Sequence, residues 1–252
     1  MITIPKWGFV AEQLRSARNK LFRLKMRSTQ AKLAKKKSYQ KNTYTKISQD
    51  FQKKYNKLKG HDIEKFTTPL WKKYNARLEK AILPYPPFSF LQDPTIMITM
   101  FATSGGKWLE SELAYLEKRV DKKKLEYLLE EEYTGDPLLL SSSYLTSHTS
   151  VHHLYHFIKY LQFSKTDFNK INTVVEWGGG YGNLMRILKK FEEKKHTYIM
   201  IDTPLFCALQ WLYLSSIFGE KEVNLILSPK DKIKENKINI VSISFLDDFK
   251  RS

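Results

Sequence analysis

The sequence predicts an α/β protein, an open doubly wound parallel sheet with about four of its strands present, preceded by a mainly helical N-terminal region. Three observations carry this. From residue 171 onward the runs INTVVEW, HTYIMID, EVNLILS and INIVSISF are short and apolar, as parallel strands covered on both faces are. Segments of helical length and periodicity, 182–194 and 204–218, separate the first three, giving the β-α-β-α alternation of a wound sheet. A glycine-rich turn, 178–182, stands where the first strand meets its helix.

The elements before the sheet read as helices. Residues 8–37 place Val10, Leu14, Leu21 and Leu24 at roughly helical intervals, with a loose continuation through 35–60. Prolines 69, 84, 86, 87 and 94 punctuate 68–96, which reads as an extended connector against a core rather than one helix. Helical periodicity returns over 106–132, where Gly135 and Pro137 stop it, and again over 145–162. The link 229–237 is too polar and short for a substantial helix. The chain divides accordingly into a basic helical arm (1–67), a helical accessory region (68–170) and the sheet (171–252).

Composition narrows the function classes. With 252 residues and 42% hydrophobic content the chain can bury a core of one or two domains. Cys207 is the single cysteine, so no disulfide framework exists and a reducing, cytoplasmic setting is expected. The start MITIPKWGF lacks the pattern of a signal peptide, and no charge-free apolar run is long enough to span a bilayer. The net charge of +17 is concentrated: residues 11–60 hold 16 Lys/Arg against Glu12 and Asp50. Tyr39, Tyr44, Phe51 and Tyr55 interleave with those lysines, a composition that stacks bases in some proteins. No nucleic-acid module frames the charge, so the favoured reading is aromatics anchoring a basic helix, ahead of nucleic acid or a membrane surface.

The strongest local signal is Val174-Val175-Glu176-Trp177-Gly178-Gly179-Gly180-Tyr181-Gly182-Asn183. Gly178, Gly180 and Gly182 alternate, letting the backbone turn tightly and approach a ligand without Cβ interference. No Gly-Lys-Ser/Thr follows, which excludes a Walker A loop, and Met185 stands where a G-x-G-x-x-G fingerprint needs its third glycine. Glu176, two residues before the first glycine, favours the positively charged end of S-adenosylmethionine and repels a pyrophosphate. A dinucleotide and a purely structural glycine turn are the alternatives. Asp202 ends the second strand, 26 residues after Glu176, where an acid accepts ribose hydroxyls. It is equally placed to cap the helix that starts at Thr203-Pro204. Tyr181, inside the turn, is a candidate for the donor pocket through its ring or backbone, whereas Trp177 and Trp211 read as packing residues.

These residues resemble the sugar O-methyltransferase family of class I, Rossmann-like methyltransferases. VVEWGGGYGNL (174–184), YIMIDTPLFCALQWLYLS (198–215), EEEYTGDP (130–137) and SSYLTSHTSVHHLYHF (142–157) carry the resemblance, over roughly residues 105–250. It implies methyl transfer from S-adenosylmethionine to a sugar or glycan hydroxyl. Glu176, Gly178, Gly180 and Gly182 would line the amino-acid side of the donor, and Asp202 would hold the ribose. Ser228 would border the adenine after the third strand. The segment Ser244 to Asp248, including Asp248, would approach the transferred methyl. The family's sheet has further strands that find no sequence here, so a fragment, or a sheet completed by a partner or a second copy, is expected. An inactive methyltransferase remnant and a basic-arm binding protein are the competing readings.

Candidate bases come from His148, His152, His153 and His156. His152 and His156 share a helical face at i,i+4. The H-E-x-x-H metal pattern needs a Glu after the first histidine, and His153 stands there instead, so no metal is expected. Packing at the domain junction is the alternative role for these histidines.

Overall fold

A computed structural model describes residues 27–60, 63–100, 108–140 and 143–246. The strands are β1 (Thr173–Trp177), β2 (Thr197–Asp202), β3 (Val223–Leu225) and β4 (Ile238–Ser242), all parallel, in the order β1-β2-β4-β3. The protein is thus α/β, with a four-stranded parallel sheet behind a helical N-terminal region.

The burial of the strands follows from this order. β4, central between β2 and β3, is buried at every residue, as its run INIVS predicts. Among the described residues β1 has a neighbouring strand on one side only, and Val175 and Trp177 are 60% and 63% exposed, so the expectation of cover on both faces fails there. The insertion of β4 between β2 and β3 also moves the loop after β3 to the far edge of the sheet.

The helices are α1 (residues 27–36), α2 (Tyr39–Ser48), α3 (Phe51–Lys59), α4 (Pro69–Ile82), α5 (Pro94–Thr99), α6 (Leu109–Glu117), α7 (Lys122–Leu129), α8 (His148–Ser164), α9 (Asn183–Phe191) and α10 (Pro204–Phe218). Two expectations are corrected. The stretch 68–96 is not an extended connector, because Pro69 occupies the first helical turn, where its missing N–H costs nothing, and no proline follows until Pro84. Thr68 caps that helix by accepting the Trp71 N–H. The single helix expected over 106–132 is two, since Asp121 accepts the Lys123 and Lys124 N–H groups and starts a new helix. The part of the expected helix 8–37 before residue 27 lies outside the described residues.

The described part of the basic arm packs into the core. Tyr44, Phe51 and Tyr55 are buried in an apolar cluster shared with α10 and the sheet, and only Tyr39 of the four interleaved aromatics is exposed. α10 is accordingly buried on all sides, between α2 and α3 on one face and the strands on the other. A second cluster joins α6, α7 and α8 to Ile187 of α9. Among the described residues no helix is long and apolar enough to cross a membrane.

The acidic run 130–132 ties these layers together. Lys37 of the arm pairs with Glu132 at 2.8 Å and donates to the Glu131 carbonyl at 2.9 Å. From the other side Arg186 of α9, fully buried, pairs with Glu131 at 3.4 Å and donates to the Glu130 carbonyl at 2.9 Å. Ser147 and Ser150 also donate to the Glu131 carboxylate. Part of the arm's positive charge is therefore spent inside the protein.

Candidate functional site

The glycine turn is built by extending the β1–β2 ladder one step. Gly178 N–H donates to the Ile201 carbonyl at 2.9 Å, and the chain then turns through positive φ at Gly178 (71°), Gly180 (58°) and Gly182 (96°). Those are left-handed conformations that glycine alone adopts without strain. Gly182 starts α9, and its position is also steric: a Cβ there would lie 3.2 Å from Leu214. Gly179, which alternation alone does not single out, is closely packed: its Cβ would fall 2.7 Å from the terminal methyl of Met200 and 3.0 Å from the Glu176 carboxyl.

A cavity of about 370 Å³ opens at this end of β1 and β2, within the range of small-molecule sites. Its floor is Glu176, Trp177, Gly178, Gly179 and Gly180, with Ile201, Asp202 and Thr203 beside them. The helical region supplies the opposite wall through Phe66, Thr67, Trp71, Met100 and His153. Trp71 meets Phe206 edge-on at 6.0 Å, closing one side with aromatic surface.

The electrostatics of the cavity are those of two buried acids. Burial pushes the Glu176 carboxyl up to about 7, and the charge of Asp202 adds to the effect. Glu176 Oε2 is buried with no hydrogen-bond partner among the described residues. Burial likewise raises Asp202 to about 7, partly offset by N–H donors from Thr203, Gln210 and Gly180. Asp202 Oδ1 accepts the Thr203 N–H at 2.8 Å, and Oδ2 accepts from Gln210 Nε2 at 2.8 Å. Gln210 also donates to the Gly180 carbonyl at 3.0 Å, so one amide ties the acid to the turn. Helix α10 takes Thr203 as its N-cap, leaving Asp202 in the cavity wall.

His153 presents a hydrogen-bond donor. Arg186 Nε donates to Asn183 Oδ1 at 3.0 Å, which fixes the amide so that its Nδ2 lies 3.2 Å from His153 Nδ1. An amide N–H there makes Nδ1 an acceptor, and the neutral ring then carries its proton on Nε2. Burial, followed by neighbouring His152 and Arg186, lowers the His153 imidazolium to about 4, so the ring is neutral.

The predicted site residues divide. Glu176, Gly178, Gly180 and Asp202 line the cavity, and Gly182 shapes the turn from behind. Tyr181 does not line it. Its side chain is buried and packs edge-on against Tyr213 at 5.1 Å, because the turn sends it into the core. Ser228 does not line it either: it sits in a turn held by Asp231, on the far side of β4. Ile243, following β4, lines the cavity in its place. His152 and His156 point from α8 toward Glu112 of α6 rather than into the cavity. Asp248 lies outside the described residues. Trp177, expected as packing, is exposed and lines the cavity, whereas Trp211 is buried as expected.

Sequence reasoning missed Thr203, whose buried Oγ1 lacks a partner among the described residues, and named His153 as one of four candidate histidines without singling it out. For His153 the i,i+4 pairing of its neighbours was the louder signal, and only the packing of α8 on α9 separates them. No family model matches the chain, and no characterised protein or solved structure matches it.

Proposed function

We propose that the cavity binds S-adenosylmethionine and that the protein transfers its methyl group to a hydroxyl oxygen of a sugar or glycan. The observation that carries this is Glu176 Oε2, a buried carboxylate oxygen without a hydrogen-bond partner among the described residues, on a cavity that also holds Asp202. Two acids held near neutrality by burial bind a cation well and a pyrophosphate poorly. The cofactor supplies an electrophilic methyl on a positively charged sulfonium.

The chain's own residues would act as follows. Glu176 would hold the positively charged amino-acid end, and Gly178, beside which a Cβ would meet nothing within 4 Å, lets the backbone come close. Asp202 has lone pairs left after Thr203 and Gln210, enough to accept ribose hydroxyls. Phe206 and Ile243 offer apolar surface to the base. His153 would donate its Nε2–H to an acceptor atom of a bound molecule, a positioning role rather than that of a base. Placing the acceptor hydroxyl in line with the methyl would be the main source of acceleration.

Calorimetric titration with S-adenosylmethionine, S-adenosylhomocysteine and NAD tests the reading. It expects binding of the first two and not of NAD. Binding of NAD alone would replace it with the dinucleotide reading.

A further inference from the structure

His152 and His156, absent from the cavity lining, lie one turn apart on α8 and meet a buried acid from another helix. His152 Nδ1 is 2.8 Å from Glu112 Oε1, and the His152 and His156 rings meet edge-on with centroids 4.4 Å apart. One donor atom from each of Glu112, His152 and His156 lies within 4.8 Å of the others. Glu112 is 5% exposed, and its second oxygen, Oε2, is buried with no hydrogen-bond partner among the described residues.

From this cluster we propose that Glu112, His152 and His156 form a binding site for a divalent first-row transition-metal ion of the zinc class. Two imidazoles and one carboxylate are ligands that such ions prefer, whereas magnesium and calcium seek all-oxygen sites. A tetrahedral zinc ion with bonds of about 2.0–2.1 Å needs its donors roughly 3.3 Å apart. Small side-chain rotations bring the present donors to that separation, and His156, being exposed, has room to make them. The hydrogen bond from His152 engages only Oε1 of Glu112. A bound cation would compensate the whole buried carboxylate, whose uncompensated oxygen is costly. Partial exposure of His152 and His156 gives the ion a route in, and three protein ligands leave a coordination position for water or an anion.

The local sequence hides this site. A Glu next to the first histidine is the usual signature, and here the acid comes from α6, forty positions upstream of His152.

The test is titration of the untagged, chelator-treated chain with Co²⁺, read by visible ligand-field absorption, followed by Zn²⁺ displacement. One equivalent should bind, and His156→Ala and Glu112→Gln should each weaken binding by at least about tenfold. His156 is exposed and Glu112→Gln is isosteric, so melting curves without metal should show both variants folded. Absence of a cobalt spectrum in the wild type, or binding that survives both substitutions unchanged, overturns the proposal. Metal binding is measured without S-adenosylmethionine, so this result and that of the donor titration are independent.

Discussion

Glu176, one residue before the end of β1, and Asp202, the last residue of β2, lie on neighbouring parallel strands, and the charge of Asp202 helps hold the Glu176 carboxyl protonated to about pH 7. Each group is raised chiefly by burial. Below about pH 7 both should therefore lose a proton when a cationic ligand enters. Donor affinity should rise between about pH 6 and about pH 8, by up to about tenfold per pH unit for each proton released. Calorimetry in buffers of different ionisation heat would count those protons, and a flat profile would disconnect the two acids from binding.

The same shifts set the stability of the empty protein. A carboxyl raised on folding binds its proton more tightly in the native than in the unfolded state, so stability falls as pH rises. The window runs from the ordinary carboxylate range to about 7, and each acid contributes on the order of 3 kcal/mol across it. Glu176→Gln should flatten this part of the curve in urea denaturation, and should stabilise the protein at about pH 8 while weakening donor binding.

The glycines of the turn should separate by mechanism. Gly178→Ala places its Cβ in open space and incurs only the strain of φ 71°, about 1–2 kcal/mol. Gly182→Ala adds contact with Leu214 to a φ of 96° and should cost more. Gly179→Ala presses on Met200, whose terminal methyl yields, and on the Glu176 carboxyl. It should weaken donor binding more than stability. Denaturation midpoints and calorimetry on the three variants check this ordering.

Much of the site was legible because its residues are close in sequence or at strand ends. The strand–glycine–helix order and the acid at the end of the second strand follow from local pattern, and α10 spans Pro204–Phe218 as read. Strand order was not legible, since nothing in the runs VNL and INIVS says that the later strand pairs with β2. That order carried Ser228 away from the cavity and brought Ile243 to it. Partners across long separations were equally hidden: Glu112 for His152, Asn183 for His153, and the acidic run for Lys37 and Arg186.

Arg186 should be the least replaceable of these. Arg186→Met strands the buried Glu131 without its ion pair, a change worth about 3–5 kcal/mol. The melting temperature should fall by on the order of 10 °C. Glu131→Gln in the same background should recover part of the loss by removing the unpaired charge, and a thermal melt of the double variant reads this directly.

Asn183 offers a check on His153 that requires no ligand. Nitrogen-15 NMR of the imidazole should show the proton on Nε2 and a bare, hydrogen-bonded Nδ1. Asn183→Asp, which replaces the amide donor with acceptor oxygens, should move the proton to Nδ1. A wild-type ring already protonated on Nδ1 would contradict the relay from Arg186.

Under the proposed function, Glu176 and Asp202 recognise the methyl donor. Titration of S-adenosylmethionine into wild type, Glu176→Gln and Asp202→Asn at about pH 8 tests it most directly. Wild type should bind one equivalent, and each substitution should weaken binding by about tenfold or more, the worth of a charge-assisted hydrogen bond. A folded wild-type protein that shows no heat of binding, or affinity unchanged in both variants, would contradict the account.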